Sequence, residues 1–370
     1  IGFDGSRAFV KERTGTENYS SQLLRAMAEI DHENIYRVYV RPGFVQGKKW
    51  PSNFQFLVLN FQFLWTQIGL AARTFQDHLD VLFVPAHTLP LIQKPGLKTV
   101  VTVHDLGSEY LPGMHQLKQR LYLGFMQKFQ LKTATKLIAV SKATKDDLVK
   151  KIGVVSNKVE VIYEGYDKKR YKKQDIRCKI DTKVSSLMSY YLFVGTIQPR
   201  KNLERIIEAF ARYIKDDGRW KKNLSSTVKL VIAGSKGWMA DDIYNLPKVL
   251  GIEDRVKFLG HVPDDKLPSL YSRAEALLFP SLFEGFGLPI LEAQAMGCPV
   301  LTSNLSSMPE VAGKGAVLVN PYSVDDIVKG IERLMIKDYR LKIIKAGLEN
   351  VKRFSWEKAA KETLEILENI

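Results

Sequence analysis

Glu284 and Glu292 bracket the run Phe279-Pro-Ser-Leu-Phe-Glu-Gly-Phe-Gly-Leu-Pro-Ile-Leu-Glu292. Its apolar start reads as a strand, its glycines as a tight turn, and Pro289 as the opening of a helix. The spacing places Glu284 in the loop and Glu292 in the first helical turn. Phe286, Gly287 and Leu288 form the approach to that helix, and the amides of Gly287 and Leu288 would suit a phosphate, because unpaired N–H groups and the dipole both point outward there. Either the turn seats a nucleotide diphosphate or it is an ordinary loop with acidic neighbours. A dinucleotide fingerprint is excluded, since Ile290 stands where its third glycine belongs.

A second strand-to-loop-to-helix run, Phe193-Val-Gly-Thr-Ile-Gln-Pro-Arg-Lys-Asn-Leu203, sets Gly195 at the strand end and Arg200 and Lys201 just before the helix. Cations oppose the dipole at that end, so they either await an anion such as a diphosphate or are solvated surface charges. In Val101-Thr-Val-His104-Asp105 a histidine ends an apolar strand, placed to meet a sugar hydroxyl or to serve structure alone. Gly15, within Arg13-Thr-Gly-Thr-Glu17, precedes an apolar helix over Tyr19 to Met27 and reads as ligand loop or helix start. No D-x-D spacing occurs, and adjacent His104 and Asp105 would face opposite ways along a strand, so metal-independent chemistry without a cofactor is expected.

The elements that must hold these residues alternate. Aliphatic runs at Tyr36–Val40, Val81–Val84, Thr99–Val103, Leu137–Val140 and Val159–Tyr163 are separated by helical stretches, as in a parallel α/β sheet. Glu164 to Thr182 is polar and reads as a linker. Alternation restarts at Tyr191–Val194, Leu230–Ala233, Val256–Leu259, Ala276–Phe279, Pro299–Thr302 and Ala316–Val319, giving a first domain over 1–172 and a second over 183–355. Glycine follows a strand directly at Gly195 and Gly234, where backbone can approach a ligand. The stretch from Trp50 to Ala72 carries no charge, but polar residues split it into a strand from Phe54 to Leu59 and a helix from Phe63, so no membrane span is expected.

The 370 residues are 45% hydrophobic and 26% charged, enough for large cores and unlike a disordered chain. Of the net charge of +15, residues 1–180 carry +12 (28 basic less 16 acidic), a field for something anionic. Nucleic acid is disfavoured, because the basic residues are not interleaved with an RNA or DNA module and the two glutamates would repel a phosphodiester backbone. Two cysteines make neither a disulfide framework nor a zinc site, and no signal peptide is visible, so a cytoplasmic address is expected.

Together these residues resemble the retaining glycosyltransferases of family 4, whose E-x₇-E motif is matched by Glu284 and Glu292 and whose Arg–Lys pair is matched by Arg200 and Lys201. The resemblance spans nearly the whole chain. It implies a GT-B fold, α/β with two Rossmann-like domains facing across a cleft, and a helix over 356–370 crossing back onto the first domain. It implies that Glu284 meets the donor sugar, Glu292 the ribose, Arg200 and Lys201 the diphosphate, His104 the transferred sugar, and Gly15 the donor phosphates. Thr196 departs from the arginine many relatives place after the strand-end glycine. The expected reaction moves a hexose from a nucleotide-sugar to a lipid-linked or polysaccharide-precursor acceptor. GDP-mannose is the favoured donor, with UDP-glucose, a UDP-N-acetylhexosamine, or a non-catalytic sugar-nucleotide scaffold as alternatives. Finally, Tyr110 to Lys145 holds no acid, and Lys128, Lys132 and Lys136 at four-residue spacing are expected to share a helical stripe continuing the Leu117, Leu121 and Phe125 side. That stripe would meet an anionic membrane surface, making the protein peripheral on the inner face.

Overall fold

The computed structural model describes all residues except 11–14, 45–48, 62, 87, 107–127, 173–188 and 216–227. The chain forms two compact units, Ile1–Gly165 with Phe354–Ile370, and Tyr166–Arg353.

The first unit is built on a seven-stranded parallel sheet: β1 (Gly2–Asp4), β2 (Tyr36–Val40), β3 (Phe54–Val58), β4 (Val81–Val84), β5 (Lys98–Val103), β6 (Lys136–Ala139) and β7 (Val159–Val161), in the order β3-β2-β1-β4-β5-β6-β7. The central strand, β1, is missing from the pattern reading because its three residues make no recognisable run. The inner strand β4 is apolar and buried throughout and β5 is buried beyond Lys98, as parallel strands covered on both faces are, whereas the edge strands β3 and β7 carry exposed Gln55 and Glu160. The uncharged stretch from Trp50 becomes β3, a π-helical turn (Trp65–Leu70) and a short helix (Ala71–Gln76). Among the described residues no helix is long and apolar enough to cross a membrane.

The helix Gly15–Ile30 buries Tyr19, Leu23, Leu24 and Met27 on one side. Against it packs the helix Trp356–Glu368, which Ser355 caps by accepting from the Lys358 amide and which buries Trp356, Ala360, Leu364 and Leu367. The chain's last helix thus completes its first unit. Gly165 allows the crossing, since a Cβ there would lie 2.2 Å from the Trp356 amide nitrogen.

The second unit has six parallel strands: β8 (Tyr190–Val194), β9 (Lys229–Ala233), β10 (Val256–Gly260), β11 (Ala276–Phe279), β12 (Val300–Ser303) and β13 (Ala316–Val319), ordered β10-β9-β8-β11-β12-β13. The order reverses between β8 and β11, so the loops leaving those two strands flank the crevice where open α/β sheets take ligands. The helix Leu203–Lys215 buries Leu203, Ile206, Ile207 and Phe210 at helical spacing.

Two expectations change, the linker with the domain limits it set and the lysine stripe. The segment read as a linker from Glu164 is engaged over its described part: Glu164 and Tyr171 are buried, and Tyr166–Lys172 belongs to the second unit, so that unit begins before the expected 183 and the first ends before 172. The lysine stripe is broken, because the helix holding Lys128 and Lys132 ends at residue 133 and Lys136 opens β6, donating from Nζ to the Asn157 carbonyl at 2.9 Å. Leu117, Leu121 and Phe125, expected on the same side, lie outside the described residues.

Candidate functional site

At the carboxyl ends of β8 and β9 two loops lie against each other. Gly195 N–H donates to the Ala233 carbonyl, Ile197 N–H to Ser235, and Gly237 N–H to Ile197, each at 2.9 Å. Gly234 permits the approach, since a Cβ there would lie 1.9 Å from the Gly195 oxygen, and Gly195 itself has φ +147. Thr196 is exposed. Beyond it, Pro199–Lys201 forms one 3-10 turn and Asn202 takes a left-handed conformation (φ 61), its amide nitrogen donating to the Pro280 and Pro321 carbonyls. This lock fixes Arg200 and Lys201 beside the loop leaving β11.

There the E-x₇-E segment supplies their partner. Lys201 Nζ donates to Glu284 Oε1 at 2.5 Å and Arg200 Nη1 to Oε2 at 2.9 Å. Lys201 also lies over the Phe279 ring, 4.9 Å from its centroid. Burial would raise the Glu284 pKa, but the two cations outweigh it and hold the carboxyl down at about 2. Ser307 steadies the loop, donating to the Glu284 carbonyl at 2.9 Å and the Phe286 carbonyl at 2.8 Å. The charge that compensates Arg200 and Lys201 is therefore Glu284, so no bound diphosphate is needed to explain their placement.

Gly287 precedes the helix Leu288–Ala295 at φ 107, a backbone that few side chains tolerate. Phe286 is buried and Leu288 half-buried. Counting from Leu288, Glu292 falls in the second helical turn rather than the first, because the proline sits inside the helix and not before it. It points to the tyrosine pair of the same unit. Tyr271 OH donates to Glu292 Oε2 at 2.8 Å, and Tyr171 packs edge-on to Tyr271 with centroids 6.0 Å apart. The Tyr171 hydroxyl is enclosed without a hydrogen bond of good geometry. Burial pushes the Glu292 carboxyl up, against the pull of Tyr271, Tyr171 and Arg170. Neither tyrosine stands out in the sequence, since Tyr171 lies in an apparently polar tail and Tyr271 in a helix.

In the first unit His104 follows β5 and is buried. Its Nε2 is 2.9 Å from the Pro85 carbonyl oxygen, its Nδ1 3.4 Å from Glu164 Oε1, and Tyr19 meets the ring edge-on at 4.6 Å. Both ring nitrogens thus face acceptors, an arrangement the doubly protonated imidazolium satisfies. Burial alone would lower the His104 pKa, but Glu164 prevails and raises it. The structural alternative for this histidine is the one its side chain meets here, with both nitrogens engaged by protein. Glu164 was hidden in the supposed linker, although its place just past β7 could have marked it. Asp4, at the carboxyl end of β1, was missed with its strand; it is buried and accepts from the Ser6 amide at 3.0 Å, and burial raises its pKa.

Gly15 is exposed and opens its helix, with nothing within 4 Å of where a Cβ would stand; the four residues before it lie outside the described set. Among the described residues no group of three or more His, Cys, Asp or Glu could hold a metal ion.

The chain is similar to known proteins throughout this layout. Residues 187–350 match the model for "Glycosyl transferases group 1", and residues 13–170 that for "Glycosyltransferase Family 4". The O-antigen chain mannosyltransferase RfbU of Salmonella typhimurium strain LT2 is 30% identical over 342 residues, 88% of this chain and 89% of that protein. The O-antigen chain mannosyltransferase B of Escherichia coli is 29% identical over 270 residues, 72% and 69% of the two chains. Among solved structures, the glycosyltransferase WaaG, involved in lipopolysaccharide biosynthesis, superposes with a TM-score of 0.74 at 17% identity over 100% of both chains. The sucrose-phosphate synthase of Thermosynechococcus elongatus does so at 0.78 and 18%, over 100% of this chain and 98% of that one. The chain belongs to the group 1, family 4 glycosyltransferases, with the two Rossmann-like α/β domains of the GT-B fold.

Proposed function

We propose that the protein transfers a hexose, mannose from GDP-mannose, with retention of configuration, to a lipid-linked or polysaccharide-precursor acceptor. The observation that supports this most is the cluster of Glu284, Arg200 and Lys201 beside the helix that starts after Gly287. In this reading the departing diphosphate is stabilised by the two cations and by the first amides of that helix, without a metal. Glu284 presets the cations and meets the donor sugar, and Glu292 with its tyrosines receives the ribose. Gly195 and Gly15 leave room for the phosphates, and His104 borders the transferred sugar through its surroundings rather than a free ring nitrogen. The donor assignment is supported by the two relatives named as mannosyltransferases; UDP-glucose and UDP-N-acetylhexosamines are the competing donors. The basic first half supports an anionic membrane surface as the place of work.

Slow hydrolysis of a panel of GDP- and UDP-sugars, with the released anomer followed by NMR, tests the reading. GDP-mannose should be consumed fastest, and Lys201→Ala should lower turnover by ~10². Undiminished turnover, an inverted product, or complete dependence on a divalent cation would each remove the corresponding part of the proposal.

A further inference from the structure

The two glutamates of the E-x₇-E segment are held in opposite ways. Glu284 has a cation on each oxygen, Lys201 on Oε1 and Arg200 on Oε2. Glu292 is met by a phenol instead, Tyr271 OH donating to Oε2 at 2.8 Å. A carboxylate offers about four acceptor sites, and a neutral hydroxyl takes one of them while leaving the charge uncompensated. Glu292 is half-buried, whereas Tyr271 is fully buried and Tyr171 nearly so, which makes Glu292 the member of the three that a ligand can reach.

Each side chain of the cluster stands on backbone that is tied down within the second unit. The helix Leu267–Arg273 carries Tyr271, and Tyr190 on β8 donates to the Leu270 carbonyl at 2.8 Å, which fixes that turn to the sheet. The helix of Glu292 is held through Gln294, whose Nε2 donates to the Ala312 and Gly315 carbonyls at 2.9 and 3.1 Å and whose Oε1 accepts from Asn350 Nδ2 at 2.9 Å. Tyr171 ends a turn in which Asp167 Oδ1 accepts from the Lys169 and Arg170 amides, at 3.1 and 3.0 Å, and the Asp167 carbonyl accepts from the Tyr171 amide at 2.9 Å. Arg170 pairs with Asp264, in the loop after β10, at 3.0 Å. The Tyr171 ring thereby braces Tyr271 edge-on, 6.0 Å between centroids. Burial drives the Glu292 carboxyl towards its neutral form, with Asp264 adding to that push, while Tyr271, Tyr171 and Arg170 oppose it. The ionised carboxylate is acceptor-only, as taking hydrogen bonds from two hydroxyls requires.

We infer that Tyr271 is a positioning residue for the donor nucleotide: its hydroxyl fixes Glu292 Oε2, with Tyr171 bracing the ring, and leaves Oε1 to accept from the 2′- and 3′-hydroxyls of the ribose. The inference rests on the reading of Glu292 as the ribose contact. A carboxylate already restrained from turning loses little freedom when the diol arrives, so more of the hydrogen-bond energy appears as affinity. Phenylalanine would fill the same space without restraining the carboxylate, which is why the hydroxyl, and not the ring alone, is assigned this part.

Isothermal titration calorimetry of the full chain with GDP and UDP, each beside its 2′,3′-dideoxy analogue, is the test. The native protein should bind the better of the two diphosphates about tenfold or more tightly than its dideoxy analogue. Tyr271→Phe, which removes one oxygen and keeps the ring, should bind the ribose form about tenfold more weakly and the dideoxy form within about twofold of the native value. A tyrosine that only supports the fold would weaken both forms alike, so equal losses, or an unchanged preference for ribose, overturn the inference. Glu292→Gln separates the inference from the reading beneath it. A preference abolished by Glu292→Gln but kept by Tyr271→Phe leaves Glu292 on the ribose and removes Tyr271 from its positioning. The same preference in the native protein and in Glu292→Gln overturns the ribose reading and the inference with it, as does a native protein that binds neither diphosphate.

Discussion

Glu284 carries the largest electrostatic commitment among the site residues. With its carboxyl held near 2 against an ordinary 4.5, its ion pairs contribute fully above pH 4.5, and that contribution is lost as pH falls from there towards 2. By linkage the shift corresponds to about 3 kcal/mol. Glu284→Gln should therefore destabilise the protein by up to about this amount at neutral pH, the more so because Arg200 and Lys201 are left partly buried without their anion, and should flatten the acid limb. Urea unfolding at a series of pH values reads both effects. His104 has the opposite sign. Its pKa is raised above 6.5, so the Glu164 pair contributes below that value and is lost as pH rises through the folded pKa. Other charges and rings near it are Asp105 and Tyr19. Glu164→Gln should lower the His104 titration midpoint seen by imidazole NMR and remove the alkaline loss of stability. An unmoved midpoint would mean that Glu164 does not hold the second proton.

At the scale of elements, the site depends on two loops that touch through glycine. The Gly234→Ala methyl would overlap the Gly195 carbonyl, 1.9 Å away, and the strand-end loops of β8 and β9 would have to part. A cost of about 1–3 kcal/mol is expected, as for other overpacked sites, together with weaker nucleotide binding by calorimetry. Gly15→Ala is the contrast. Its methyl would meet open space at the start of a helix, so stability should hold or rise by a few tenths of a kcal/mol. A loss at Gly15 as large as that at Gly234 would show that overlap with a neighbouring loop is not what sets the cost, since the lowered entropy of the unfolded chain favours folding in both variants.

At the scale of the molecule, the last helix belongs to the first unit. Ending the chain at Arg353 would uncover the side of Gly15–Ile30 that receives Trp356, Ala360, Leu364 and Leu367, at roughly 1.5–3 kcal/mol for each large side chain. Calorimetry should then show the first unit melting earlier or losing its transition, with the transition of the second unit retained; GDP or UDP should mark that transition by shifting it upward, as the proposed donor site requires. If the nucleotide-responsive transition collapsed instead, the helix would be supporting the other unit.

Alternating apolar runs and the glycines that end them were enough to reveal two parallel α/β units and nearly every strand, because buried parallel strands need continuous aliphatic sequence and close backbone approach needs glycine. Glu284, Glu292, Arg200 and Lys201 were legible for the same local reason: each lies within a strand, loop and helix start that reads off as one run. What stayed hidden was pairing across distance. That Glu284 answers Arg200 and Lys201, that Glu164 answers His104, and that Tyr171 and Tyr271 enclose Glu292 depends on strand order, which brings together residues far apart in the chain. The short β1 had no run to announce it, and Lys136 left the expected stripe because a helix ended where sequence spacing alone allowed it to continue.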